Sequence, residues 1–165
     1  MKKLTQGEVS KYLYQSYSKV DGLWFMKVEE QFGFEKALEI DTGVWKILSK
    51  IQARYLKLKL SNAAITVKEV FISALKIKLD LDGYKFRLIN KDNLISIKIT
   101  ECPWHNILIR SGREGLSEKI GSVICKTEYS AFAFEFDPKY KLEICSRICS
   151  SKKENFCIFN FDDPI

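Results

Sequence analysis

Cysteine and histidine are absent from the first 101 residues of this 165-residue chain. All five cysteines and the single histidine lie between Cys102 and Cys157, so any soft-ligand chemistry belongs to the C-terminal part. Proline and glycine are also scarce, at three and eight residues, which excludes a proline- or glycine-rich disordered linker. With 46% hydrophobic residues, the composition is typical of a globule, and we expect residues 1–165 to form a single domain.

Long apolar runs are missing as well. No stretch approaches the roughly 20 apolar residues of a membrane span, and Met1-Lys2-Lys3 is followed by polar residues rather than by the apolar segment of a signal peptide. We therefore expect a cytoplasmic protein without membrane contact, in which thiols stay reduced. The net charge of +6 is spread along the chain. This pattern predicts no nucleic-acid partner, because such a surface concentrates its cations.

Hydrophobic spacing is helical up to residue 82. The capping-box patterns Thr5-x-x-Glu8 and Thr66-x-x-Glu69 predict two helix starts. Ser18-x-x-Asp21 predicts a further start, with Gly33 as the end of that helix. Another long helix is predicted from about residue 34 or 41 to residue 60.

From residue 83 the period changes to two, and we predict strands over residues 84–89, 94–101, 141–148 and 155–161. Two helices are predicted between the hairpins, the first from Pro103 and the second over residues 116–136. The loop of the last hairpin is expected at residues 149–154. The predicted fold class is therefore α+β: a helical N-terminal half, then a β-β-α-α-β-β unit over residues 83–165 with a four-stranded antiparallel sheet.

This topology predicts that the cysteines meet on one side of the sheet. Cys102 stands at a strand end, Cys125 on a helix that faces the sheet, and the others on the second hairpin. Cys145 and Cys149 would share a face of an extended strand, because side chains alternate.

Three interpretations of these thiols stay open. Zinc or another transition metal would need four N/S ligands, for example Cys102, Cys125, Cys149 and Cys157. A catalytic thiol would need fewer partners. Free cysteine also packs as a small buried hydrophobe, which requires no chemistry at all.

Other candidate residues surround these cysteines. His105 is a base, a ligand or a satisfied helix-terminal histidine. Glu128, in a helix expected to be buried, is an acid or base if it is enclosed and a solvated residue if it is not. Arg113 could clamp a carboxylate or lie at the surface. An apolar pocket between helices and sheet, or a plain core, would use Trp104, Tyr129 and Phe132.

Several motifs carry a family resemblance: LWFMKVEEQFGFEKALEID at 23–41, VWK at 44–46, QAR at 52–54, CPWH at 102–105, REGL at 113–116, ICKTEYSAFA at 124–133, Asp137-Pro138, the Cys145/Cys149 pair, and FCIFNF at 156–161. Over residues 23–161 the chain resembles a bacterial and archaeal cytosolic family grouped with L-2-aminothiazoline-4-carboxylate hydrolase-like proteins. The C-terminal half is similar in order of elements to the 4-vinyl-reductase-type small-molecule-binding domain.

The resemblance implies a small-molecule site near the cysteines. Through the hydrolase grouping it also implies water attack on a thiazoline ring. In that reaction Glu128 would be the acid or base and Arg113 the carboxylate clamp, and the metal or nucleophile would come from Cys102, Cys125, Cys157 and His105. We favour a cytosolic small-molecule-binding domain with a cysteine-lined pocket, with the hydrolase as the alternative. The aromatic-rich helical half is compatible with a homodimer interface and equally with a core.

Overall fold

The computed structural model describes residues 3–91, 93–150 and 155–162, and it has the predicted α+β architecture. The helices are α1 (Gln6–Phe32), α2 (Phe34–Leu60), α3 (Val67–Leu81), α4 (Pro103–Arg110) and α5 (Ser117–Phe134). The strands are β1 (Lys85–Lys91), β2 (Leu94–Glu101), β3 (Lys141–Ser146) and β4 (Cys157–Asp162). A short 3-10 helix, Glu114–Leu116, lies between α4 and α5. The β-β-α-α-β-β order is confirmed.

The chain divides into two compact units, residues 1–41 and 42–165. In the first, the predicted capping box is present: the Glu8 N–H donates to Thr5 Oγ1 at 3.2 Å, and the Thr5 N–H donates to Glu8 Oε2 at 2.7 Å. The helix start predicted at Ser18 is wrong, because α1 continues without a break to Phe32. It ends at Gly33, whose φ of 83° favours glycine. The single domain stays a prediction.

The second unit contains the sheet, with strand order β1-β2-β4-β3 and antiparallel pairing throughout. Alternate side chains of the two central strands are buried. Ile97 of β2, for example, lies opposite Leu88 of β1 on one side and Phe159 of β4 on the other. The period of two that predicted these strands is therefore the period of their burial.

Aromatic side chains fill the core of the second unit. Phe71 of α3 is fully buried, and its ring centroid lies 4.4 Å from that of Tyr140, 5.3 Å from those of Phe136 and Phe161, and 6.4 Å from that of Phe132. These residues come from α3, α5, β4 and the segment before β3. One ring thus joins both core helices to the sheet.

Two of the boundaries that differ from their predictions have a local cause. The alternation of Ile77, Leu79 and Leu81 suggested an early strand, but α3 continues to Leu81 because its apolar face also satisfies the helical period. The predicted strand 141–148 ends at Ser146, after a register shift around Cys145. Of the predicted loop 149–154, residues 151–154 lie outside the described residues. In the described ranges, no helix is long and apolar enough to cross a membrane.

Candidate functional site

Four of the five cysteines converge beside α5, as the sequence predicts. A Cβ atom added to Gly121 would lie 3.0 Å from Cys149 Sγ and 3.9 Å from Cys125 Sγ. Cys102, Cys149 and Cys157 are all close enough to Cys125 to raise the pKa of its thiol, although burial is the larger cause. Four separate parts of the chain therefore bring their thiols to one place.

Cys102 and Cys125 are partly buried and pack against the hydrophobic core. Burial raises the pKa of the Cys102 thiol to about 12, although hydrogen bonds from the backbone N–H groups of His105 and Trp104 lower it. Burial also raises the pKa of the Cys125 thiol well above 9. Such shifts require dense surroundings on most sides. Both residues nevertheless keep partly exposed surface. Both residues therefore lie at the edge of the core.

Helix α4 follows Cys102 directly in the chain. It begins at Pro103, directly after β2, and none of its eight residues is buried. Its apolar side chains Trp104, Ile107 and Leu108 are half-buried instead. Trp104 meets Trp45 of α2 edge to face, with ring centroids 5.3 Å apart. Helix α4 therefore keeps part of its apolar surface exposed.

All four thiols are neutral near pH 7, because burial raises the pKa of each. Cys157, with its pKa raised to about 11, receives a hydrogen bond from the Ile148 N–H, at 3.2 Å between N and Sγ. A neutral thiol is a weak nucleophile and a soft, polarisable contact. The cluster is therefore suited to packing against a ligand more than to attacking one.

His105 has a partner that sequence reasoning missed. Its Nδ1 lies 2.7 Å from the Oγ of Ser117, a buried residue that begins α5. Ser117 also helps to lower the pKa of the Cys149 thiol against the dominant effect of burial. A chain of polar contacts thus runs from His105 through Ser117 to the thiols. A serine at a helix start gives no sign in sequence that it binds a distant imidazole.

The arginine that influences the thiols is Arg147. It acts on both Cys149 and Cys157, lowering pKa values that burial raises. Its Nε is buried, without a hydrogen-bond partner among the residues that the structure describes. The predicted clamp, Arg113, is instead half-buried before the 3-10 helix, where its N–H donates to the Leu108 carbonyl at 2.8 Å.

Glu128 is buried, which is one of the two alternatives predicted for it. The residue belongs to a buried ion cluster. Lys78 Nζ lies 2.7 Å from Glu128 Oε1 and 2.8 Å from Asp82 Oδ2, and it donates to Gln52 Oε1 at 3.0 Å. The Lys78 side chain is 2% exposed and that of Glu128 is 4% exposed. Burial, and after it the Asp82 charge, raises the pKa of Glu128 against the pull of Lys78. Sequence reasoning missed Lys78, which looks like one of many dispersed lysines.

The ion cluster and the thiols are neighbours. Glu128 helps to raise the pKa of Cys125, and both affect Tyr84 and Tyr129, whose pKa values lie well above 10 mainly because of burial. The Tyr129 hydroxyl approaches Tyr84, but among the residues that the structure describes it has no partner in hydrogen-bonding geometry. An unsatisfied buried hydroxyl is costly unless something else binds it.

The predicted pocket residues Tyr129 and Phe132 are fully buried core members. Tyr129 packs edge to face on Phe159 at 5.0 Å between centroids, and Phe132 lies 6.4 Å from Phe71. Both rings are therefore part of the core and not the lining of a pocket.

Cys145 does not join the other thiols. It is exposed, and its Sγ accepts a hydrogen bond from Asn160 Nδ2 at 3.2 Å. The prediction that Cys145 shares a face with Cys149 is wrong, because β3 ends at Ser146 and Cys149 lies in the turn that follows. The register shift around Cys145 explains why the strand period does not extend further.

The geometry does not support the predicted zinc or other transition-metal site at Cys102, Cys125, Cys149 and Cys157. Within residues 3–91, 93–150 and 155–162, no group of three or more histidine, cysteine, aspartate or glutamate side chains could hold a metal ion.

The structure thus has an α+β fold with four thiols clustered beside α5. The sequence from residue 8 to residue 162 matches a family described as Family of unknown function (DUF6125), and the chain belongs to that family. No curated protein and no solved structure matches the chain.

Proposed function

We propose that this chain is a small-molecule-binding domain whose ligand occupies a recess beside Cys102 and Cys125. One observation supports the proposal: Cys102 and Cys125 belong to the cluster of thiols beside α5, and both residues are only partly buried. All five cysteines are free, which fits the cytoplasmic setting that we propose for the protein.

The groups around the recess favour a small and mainly apolar ligand with one or two polar atoms. Neutral thiols and the half-buried side chains of α4 supply apolar, polarisable contacts. Arg147 Nε supplies a hydrogen-bonding atom that the described residues leave unsatisfied. This combination of an apolar wall and few polar groups is typical of ligand pockets.

A fragment screen tests the proposal. The full chain, labelled with 13C at cysteine Cβ, is titrated with a library of neutral and singly anionic aromatic fragments and followed by NMR. We expect hits that shift the Cys102 and Cys125 signals more than the Cys145 signal. Cys125→Met, which fills the recess, should weaken these hits by about tenfold or more, as expected when a buried apolar contact is blocked.

Cys145→Met is the matched control, because it adds the same side chain at an exposed site. This variant should leave the affinities unchanged. Hits that survive Cys125→Met, or a library in which no fragment shifts the Cys102 and Cys125 signals, would contradict the proposal.

The thiazoline hydrolase has less support from the geometry. A nucleophilic Cys125 would need a lowered pKa, whereas burial raises it. Glu128 is enclosed as an acid or base should be, but its carboxylate is held by Lys78. Turnover of 2-aminothiazoline-4-carboxylate that disappears in Glu128→Gln while the fold stays intact would establish the hydrolase in place of a pure binding role.

A further inference from the structure

A basic cleft lies between α2 and α5 in the second unit. Its volume is about 560 Å³, within the range of about 300–1,000 Å³ that ligand sites occupy. Three lysines line it, Lys46 and Lys50 from α2 and Lys126 from α5. The hydroxyls of Thr127 and Ser130 and the exposed ring of Phe134 complete the α5 wall.

The charges of α2 explain why this cleft is positive. From Thr42 to Leu60 the helix carries five cationic side chains and no carboxylate. Near its C-terminal end the cations have partners: Arg54 Nε lies 2.8 Å from Glu135 Oε2, and Lys57 donates to the Glu135 carbonyl at 2.7 Å. These two contacts connect the end of α2 to the end of α5.

The cations nearer the N-terminal end of this stretch have different electrostatic surroundings from Arg54 and Lys57. Lys46 and Lys50 are one helical turn apart, a spacing at which like charges destabilise a helix. Lys126 adds a third positive charge from the opposite wall. In the part of the chain that the structure describes, no carboxylate forms an ion pair with any of the three. Their arrangement is unfavourable for the isolated protein and favourable once an anion enters.

We infer that the α2–α5 cleft is a second binding site, for an organic phosphate with a flat apolar body. Three ammonium groups match the charge of a phosphate monoester, which is about −1.5 to −2 at pH 7. Thr127 and Ser130 offer O–H donors to its oxygens, and Phe134, 53% exposed, offers a ring face to its apolar part. The cleft residues of α5 are distinct from those that face the thiols, so this site is independent of the recess.

Phenyl phosphate is the probe that tests this site, with inorganic phosphate and phenol as its two halves. Binding to the full chain is measured by calorimetry and by NMR of the Phe134 ring. Phenyl phosphate should bind more tightly than either half, and its affinity should fall as salt is added. Each of Lys46→Gln, Lys50→Gln and Lys126→Gln should weaken binding by about fivefold, the upper range for an exposed charge pair.

Lys59→Gln is the matched control, because Lys59 lies on the same helix, outside the cleft, with its Nζ 5.8 Å from the centre of the Tyr55 ring. It should leave the affinity for phenyl phosphate unchanged. Equal losses in Lys59→Gln and in the cleft variants would show attraction to net charge alone and overturn the inference. Wild-type affinity in the variant that combines all three cleft substitutions would overturn it as well.

Discussion

Lys78→Met is expected to lower the free energy of unfolding by about 3–5 kcal/mol, the range observed when one partner of a buried ion pair is removed. Lys78 is the cation between Glu128 and Asp82, at 2.7 and 2.8 Å. Methionine keeps the volume and removes the charge, so two buried carboxylates lose their counter-ion. Urea denaturation of both proteins at pH 7 measures the difference.

Glu128→Gln is the informative partner variant, and we expect its stability to stay within about 1 kcal/mol of wild type. Lys78 keeps Asp82 and Gln52 as partners, and the new amide oxygen still accepts a hydrogen bond. The substitution also removes a carboxylate whose burial is unfavourable. If Glu128→Gln lowers the free energy of unfolding as much as Lys78→Met does, Lys78 is not the central cation of the cluster.

The pH dependence of the same pair has a defined sign. Because the pKa of Glu128 is raised above its ordinary value of 4.5, the folded protein holds this proton more tightly than the unfolded chain does. The stability of wild type relative to Glu128→Gln is therefore greatest below about pH 4.5. It should decline as the pH rises through the raised pKa of Glu128. A difference that grows with pH over this range would contradict the assignment.

Phe71→Ala is the second large effect, with an expected loss of about 3–5 kcal/mol in the free energy of unfolding. The ring is fully buried and touches four other aromatic rings from both core helices and the sheet. Neighbours drawn from so many elements cannot collapse easily into the cavity. Thermal and urea unfolding measure the loss.

Phe134→Ala deletes the same side chain from a residue of α5 that is 53% exposed. It should change the stability by no more than about 0.5 kcal/mol. Similar costs for the two substitutions would show that the core is not centred on Phe71.

Local patterns in the sequence predicted most of the fold. Thr5-x-x-Glu8 and Thr66-x-x-Glu69 each make both of the hydrogen bonds that a capping box describes, because all the interacting atoms lie within one turn. The prediction of a helix start at Ser18 is wrong because this residue lies inside α1, which begins at Gln6. One unfavourable glycine at position 22 does not end the helix.

The site was predictable only in part. The meeting of Cys102, Cys125, Cys149 and Cys157 followed from the order of elements around one sheet. Lys78 and Ser117 could not be found in this way, because their partners Glu128 and His105 are brought to them by tertiary packing. The cluster of lysines in the α2–α5 cleft could not be predicted for the same reason. The sequence does not show whether a lysine has an ion-pair partner.

The recess is tested most directly by the order in which the native thiols react. Cys145→Ser protein is treated with methyl methanethiosulfonate, a small uncharged reagent, at about pH 9, and each cysteine is followed by mass spectrometry. Ionisation alone favours Cys157 over Cys102, because their pKa values are about 11 and about 12. Access through a recess favours Cys102 and Cys125, which keep exposed surface where Cys157 is buried. We expect Cys102 and Cys125 to react first. Two results would contradict the recess. In the first, Cys157 reacts before the others; in the second, Cys102, Cys125 and Cys157 react together at a rate that rises equally in Phe71→Ala. Either result would show that the thiols are reached only through unfolding.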